Sequence, residues 1–94
     1  MKLNVTDSAI ETIKNIQAES KEAVTSIRIN FAGFGWGGPN LGLVLDEQKE
    51  NDDVFDIDGV KFLVSSELNQ FTGFDVDYSN SFMRKGFIIK PLSM

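Results

Sequence analysis

The sequence predicts an α+β fold: one compact, mostly β domain with an N-terminal helix and a short second helix. Two periodicities and one turn carry that reading. Apolar residues recur at helical spacing near the N-terminus, at Ala9, Ile10, Ile13 and Ile16. From Val24 onward they alternate with period two, the mark of half-buried strands. Between two β-rich runs stands Asp58-Gly59, the pair favoured where both central residues of a tight hairpin need positive φ. At 94 residues the chain has room for a single core, so residues 1–94 are expected to form one domain.

The elements follow in order. Leu3 and Val5 form a short strand that leads into the helix. Thr6, Asp7 and Ser8 can each cap it, and Ser8 with Glu11 has capping-box spacing. The helix should run to about Glu19. Ile27, Ile29 and Phe31 alternate with Arg28, Asn30 and Ala32 as a strand. The glycine-rich segment Gly33-Phe34-Gly35-Trp36-Gly37-Gly38-Pro39-Asn40 connects it to a second strand carrying Leu41, Leu43 and Leu45. Asp46 to Asp53 reads as a solvated acidic loop. Val54–Ile57 and Val60–Val64 flank the Asp-Gly turn as a hairpin. Ser65 or Ser66 can cap a short helix through Glu67, Leu68 and Phe71, closed by Gly73. Phe74, Val76 and Tyr78 form a strand, Ser79 to Gly86 a connection with Phe82 and Met83, and Phe87–Ile89 a last strand that Pro91 ends.

Composition excludes more chemistry than it suggests. Nine Lys and Arg against fourteen Asp and Glu give a net charge of −5, and no basic stripe offers itself to a polyanion. No nucleic-acid partner is expected. The chain has no cysteine and no histidine. Disulfides, Cys/His zinc sites and thiolate-held clusters are therefore outside its own donor set, as are Ser–His and Cys–His nucleophiles. No apolar run approaches the length of a membrane span, and the N-terminus lacks a signal-peptide core. A cytoplasmic, non-membrane protein that is not an enzyme is the expectation.

Four motifs deserve a chemical reading. Gly33, Gly35 and Gly38 satisfy G-x-G-x-x-G, but a strand follows where a pyrophosphate site needs a helix N-terminus. A strained strand connection is the better account, with Phe34 and Trp36 either folded back over the core or offered to a partner. The acidic run before Gly59 lacks calcium-loop ligands at the first and twelfth positions, Val54 and Ser65. Asp75 and Asp77 share one strand face and belong to its polar outer side rather than to an acid–base pair. The sulfurs of Met1, Met83 and Met94 read as packing groups.

The ordered set of segments resembles the HesB-like family, the A-type carriers of iron–sulfur cluster assembly. It begins with Leu3-Asn4-Val5-Thr6-Asp7-Ser8-Ala9 before a helix and Ile27-Arg28-Ile29 before the glycine loop. It continues through Leu41-Gly42-Leu43-Val44-Leu45-Asp46, Val54-Phe55 and Asp58-Gly59-Val60 with Val64 beyond. Gly73, Val76-Asp77-Tyr78 and Gly86-Phe87 complete it. The resemblance covers nearly all of the chain. It implies a sandwich-like arrangement of mixed and antiparallel strands, often assembled as a dimer or tetramer. It also implies a loop cysteine and a Cys-Gly-Cys tail that hold iron or a cluster.

This chain departs at each of those ligands. Trp36 occupies the loop-cysteine slot, and residue 94 is reached before the tail pair. An indole only donates hydrogen bonds. The expectation is a divergent relative with no metal site and no cofactor as written. A tryptophan codon differs by one base from the cysteine codons and from UGA, and some HesB-like proteins resemble selenoproteins in this loop. Iron or an iron–sulfur cluster therefore enters only if position 36 is natively cysteine or selenocysteine. The alternative is a ligand-free module that binds a protein partner, or a second copy as a homodimer, through Gly33, Phe34, Gly35, Trp36, Gly37 and Gly38.

Overall fold

A computed structural model describes residues 1–21, 25–35, 38–82 and 85–92. The chain runs β1 (Lys2–Val5), α1 (Asp7–Glu19), β2 (Ile27–Gly35), β3 (Gly38–Leu45), β4 (Asp52–Ile57) and β5 (Val60–Ser65). A 3-10 turn (Ser66–Leu68), β6 (Gly73–Asn80) and β7 (Lys85–Leu92) complete it. The strands form two sheets, ordered β1-β6-β7 and β3-β2-β5-β4. β1 joins β6 in parallel and β2 joins β5 in parallel, while the other neighbours are antiparallel.

The core lies between the sheets and under α1. Ile27, Ile29 and Phe31 on β2 face Leu45, Leu43 and Leu41 on β3, so alternating apolar residues meet as cross-strand pairs on the inner face. Phe62, Val64, Phe74 and Val76 are fully buried or nearly so. α1 contributes Ala9, Ile10 and Ile13, but Ile16, the fourth member of its apolar stripe, remains 43% exposed. Thr6 caps the helix by accepting the Ala9 amide at 3.2 Å, in preference to the Ser8 capping box. Ser8 instead donates its hydroxyl to the Tyr78 carbonyl oxygen.

Asp58 and Gly59 have φ of 51° and 84°, the two positive values that the hairpin turn requires. The short second helix is one 3-10 turn capped by the Ser65 side chain, and it stops at Leu68 before reaching Phe71. Gly73 does not close a helix; it opens β6 between Lys2 and Leu92. A Cβ there would collide with the Lys2 carbonyl oxygen, so the glycine permits β1 to approach. β7 runs through Pro91 instead of ending before it. Proline is tolerated because β7 is an edge strand of its sheet, where one side of the backbone needs no partner. β6 likewise extends to Asn80, which shortens the expected Ser79–Gly86 connection. The expected start of β2 at Val24, and the side chains of Met83 and Met94, lie outside the described residues.

Candidate functional site: the bulged hairpin and its anchor

The glycine segment is the end of a hairpin rather than a free loop. β2 and β3 pair from Ile27↔Leu45 as far as Gly35↔Gly38. Between Phe31↔Leu41 and Phe34↔Pro39, β2 contains one residue more than β3. That is a β-bulge, and it sits at Gly33, whose φ is +90°. The strand therefore bends, and the side-chain alternation of β2 is reset before position 36. Gly35 lies close to Asn40: a Cβ at Gly35 would come within 3.0 Å of Asn40 Nδ2. Of the six candidate residues, the structure brings the backbones of Gly33, Phe34, Gly35 and Gly38 together in this hairpin. Trp36 and Gly37, and the side chain of Phe34, lie outside the described residues.

The base of the same hairpin is fixed by a group that strand alternation assigns to solvent. Arg28 is only 8% exposed. Its Nε donates to Asp46 Oδ2 at 2.7 Å, and Nη1 and Nη2 donate to the two carboxylate oxygens of Asp52 at 2.8 and 2.6 Å. Nη2 also reaches the Glu47 carbonyl oxygen at 3.1 Å. Asp52 in turn accepts the Lys49 amide at 2.7 Å. The acidic segment after β3 is thus tied down onto the outer face of the sheet. On that face Val44, Arg28, Leu63 and Val54 lie side by side across four strands. Leu63 in the middle is fully buried, while Val44 and Val54 at the ends are not. The hydrogen bonds from Arg28 hold the carboxyls of Asp52 and Asp46 below the usual carboxylate range, and the paired carboxylates keep the guanidinium charged. The signal in the sequence was one arginine in β2 facing a run of acids eighteen and more residues away, which spacing alone does not pair.

Asp75 and Asp77 are each engaged by a side chain from β1 or the helix cap. Asp75 accepts from Asn4 Nδ2 and Asp77 from the Thr6 hydroxyl, both at 2.8 Å. The Thr6 hydrogen bond chiefly, with the Tyr78 amide, lowers the Asp77 carboxyl. These two carboxylates stitch β1 and the helix cap to β6. Among the described residues no three or more Asp or Glu side chains converge to hold a metal ion. With thiolates absent from all 94 residues, the donors present do not fit an iron–sulfur cluster, which takes soft sulfur ligands. Among the described residues no helix is long and apolar enough to cross a membrane.

The fold has known counterparts. The family profile for iron-sulphur cluster biosynthesis matches residues 1–90. The chain is 31% identical over 87 residues to an iron-sulfur cluster insertion protein ErpA of Marinobacter nauticus, covering 90% of this chain and 79% of that one. Its fold is similar to that of Escherichia coli SufA, a protein involved in biosynthesis of iron-sulfur clusters, with a TM-score of 0.78. That likeness has 22% identity and covers 94% of this chain and 78% of SufA. It is also similar to IscA determined with a [2Fe-2S] cluster, with a TM-score of 0.80, 21% identity, and coverage of 96% and 85%. The chain belongs to the iron-sulphur cluster biosynthesis family, as a member whose 94 residues include no cysteine.

Proposed function

We propose that this protein serves iron–sulfur cluster assembly without holding a cluster on its own side chains, as a non-enzymatic single domain in the cytoplasm that works through a protein partner. One observation carries the reading. The family match extends over residues 1–90, yet these 94 residues contain no thiolate. The partner-facing element is the bulged hairpin at Gly33–Gly38, with Trp36 in the slot of the family's loop ligand. A protein with the site chemistry removed and the fold retained keeps its surfaces, and surfaces are what a partner reads.

The test is anaerobic reconstitution with iron and sulfide, followed by desalting and iron, sulfide and absorbance measurements. The expected result is no retained cluster. Iron and sulfide retained in stoichiometric amount, with cluster absorbance, would overturn the reading. Intact mass of the protein purified from its own host decides position 36. A mass that fits tryptophan supports docking as the role of the hairpin. A mass that fits cysteine or selenocysteine returns one chalcogen to the tip, and a cluster or metal would then need partner thiolates beside it.

A further inference from the structure

β2 and β5 run side by side in parallel and then part. Their pairing ends at Arg28↔Leu63, while β2 continues to Gly35 and β5 to Ser65. Beyond that rung a crevice of about 640 Å³ lies between β2, the 3-10 turn after β5 and the Lys49–Asp52 segment. The carboxyl ends of parallel strands, where neighbours diverge, are recurrent ligand sites, and ligand pockets commonly measure roughly 300–1,000 Å³.

Both walls are fixed by bonds that leave the lining groups available. On one, Asp52 accepts the Lys49 amide, donates its own amide to the Lys49 carbonyl oxygen at 3.2 Å, and is clamped by Arg28. On the other, Ser65 Oγ accepts the Glu67 amide at 3.2 Å, and Leu68 roots the turn in the core. Exposed Asn30, Asn51 and Gln70 line the crevice, and none of their side chains makes a hydrogen bond among the described residues. A lone exposed carboxamide is ordinarily served by water. Three around one crevice present paired donors and acceptors, the complement of a peptide main chain.

Charge selects among peptides. The cations at the crevice are neutralised in place, Arg28 by Asp46 and Asp52, and Lys49 by Asp46. Glu50 on one wall and Glu67 on the other have no cationic partner among the described residues. We infer that the crevice binds an extended basic segment of a partner protein. Asn30, Asn51 and Gln70 bond its main chain, and an arginine or lysine side chain reaches Glu50 and Glu67. The net charge of −5 steers the same class of segment toward the protein. Neither Trp36 nor iron takes part, so the site stands apart from the role proposed for the Gly33–Gly38 hairpin.

Titration of the isotope-labelled, iron-free protein with a capped hexapeptide of alternating alanine and arginine tests it, read by amide chemical shifts. The shifts should saturate and centre on the crevice, at Asn30, Asn51, Ser66 and Gln70. Glu50→Gln and Glu67→Gln should each weaken binding about threefold, and Asn51→Ala combined with Gln70→Ala about tenfold, with the spectrum of the free protein otherwise preserved. Arginine amide alone should bind at least about tenfold more weakly than the hexapeptide, because it brings no extended main chain. The glutamate counterpart of the hexapeptide should not bind. The absence of saturable shifts up to roughly 10 mM peptide overturns the proposal. Shifts spread over the acidic surface, binding that the variants leave untouched, or arginine amide binding as tightly as the hexapeptide overturns it as well.

Discussion

Two hairpins of the same sheet are built to opposite ends. β4–β5 pairs six residues against six without interruption and turns on Asp58-Gly59. Its second strand buries Val60, Phe62, Leu63 and Val64 completely. β2–β3 begins in the same regular way but breaks register at Gly33 and ends in glycines. The first hairpin contributes packing along its whole length. The second packs Ile27, Ile29 and Phe31 in its lower half and, past the bulge, pairs again at Phe34↔Pro39 and Gly35↔Gly38. The difference shows where pairing in this sheet is continuous and where it is interrupted.

The largest expected effect lies in β5. Phe62→Ala should cost about 3–5 kcal/mol, because a fully buried ring leaves a cavity that a central strand cannot collapse. Urea denaturation measures it, and a loss under 1 kcal/mol would contradict the assignment of the core to this hairpin. Next comes the anchor under β2–β3. Arg28→Ala strands the Asp52 carboxylate, whose side chain is 3% exposed, and should cost about 3 kcal/mol. Arg28→Met with Asp52→Leu should restore most of that, since an apolar pair needs no counter-charge.

Acid should act on the same anchor. The Arg28 hydrogen bonds lower the Asp52 carboxyl in the folded state, so the unfolded chain takes up its proton first as pH falls. The stabilisation is complete well above pH of about 4 and is lost progressively below it. An Asp52→Asn variant should be less stable at pH 7 and should show a shallower fall in stability on acidification. An equally steep fall in that variant would assign the acid sensitivity to other carboxylates.

Smaller effects sharpen the contrast between the turns. Gly33→Ala and Gly59→Ala each force a side chain onto positive φ with no steric clash, and each should cost about 1 kcal/mol. A much larger loss at Gly33 would make the bulge part of the core's support. Trp36→Ala should be smallest, within about 0.5 kcal/mol by thermal melting, while abolishing partner capture. Unfolding of that variant would make Trp36 a core residue and remove the docking role proposed for the Gly33–Gly38 segment.

Much of this molecule was legible from local patterns, and the misreadings share one cause. The stripe through Ile10 and Ile13, the alternation of Ile27 and Ile29, and the Asp58-Gly59 turn are decided by near neighbours. Gly73, Pro91 and Arg28 are decided by residues far along the chain. Gly73 is set by the approach of Lys2 seventy-one positions earlier, and Pro91 by the edge position of β7. Arg28 took the polar slot of its strand, as alternation required, but acids at 46 and 52 then folded over it. At the candidate site the glycines announced a strained strand connection. Only the register against β3 located the bulge.

The parallel pairing of β1 with β6 has a consequence for how the protein is made. Among the described residues Lys2 to Val5 find their one strand partner at Gly73 to Val76, and Asn4 and Thr6 find their carboxylates at Asp75 and Asp77. During synthesis Lys2 to Thr6 emerge some seventy residues ahead of the strand that receives them. Ile10 and Ile13 on the apolar face of α1 cluster with Ile27, Val60 and Phe62 of β2 and β5, while Ala9 belongs to the cluster that Phe74 and Val76 of β6 complete. Contacts of such sequence separation close late and slowly. The end of the protein made first is therefore among the last parts to be locked in place.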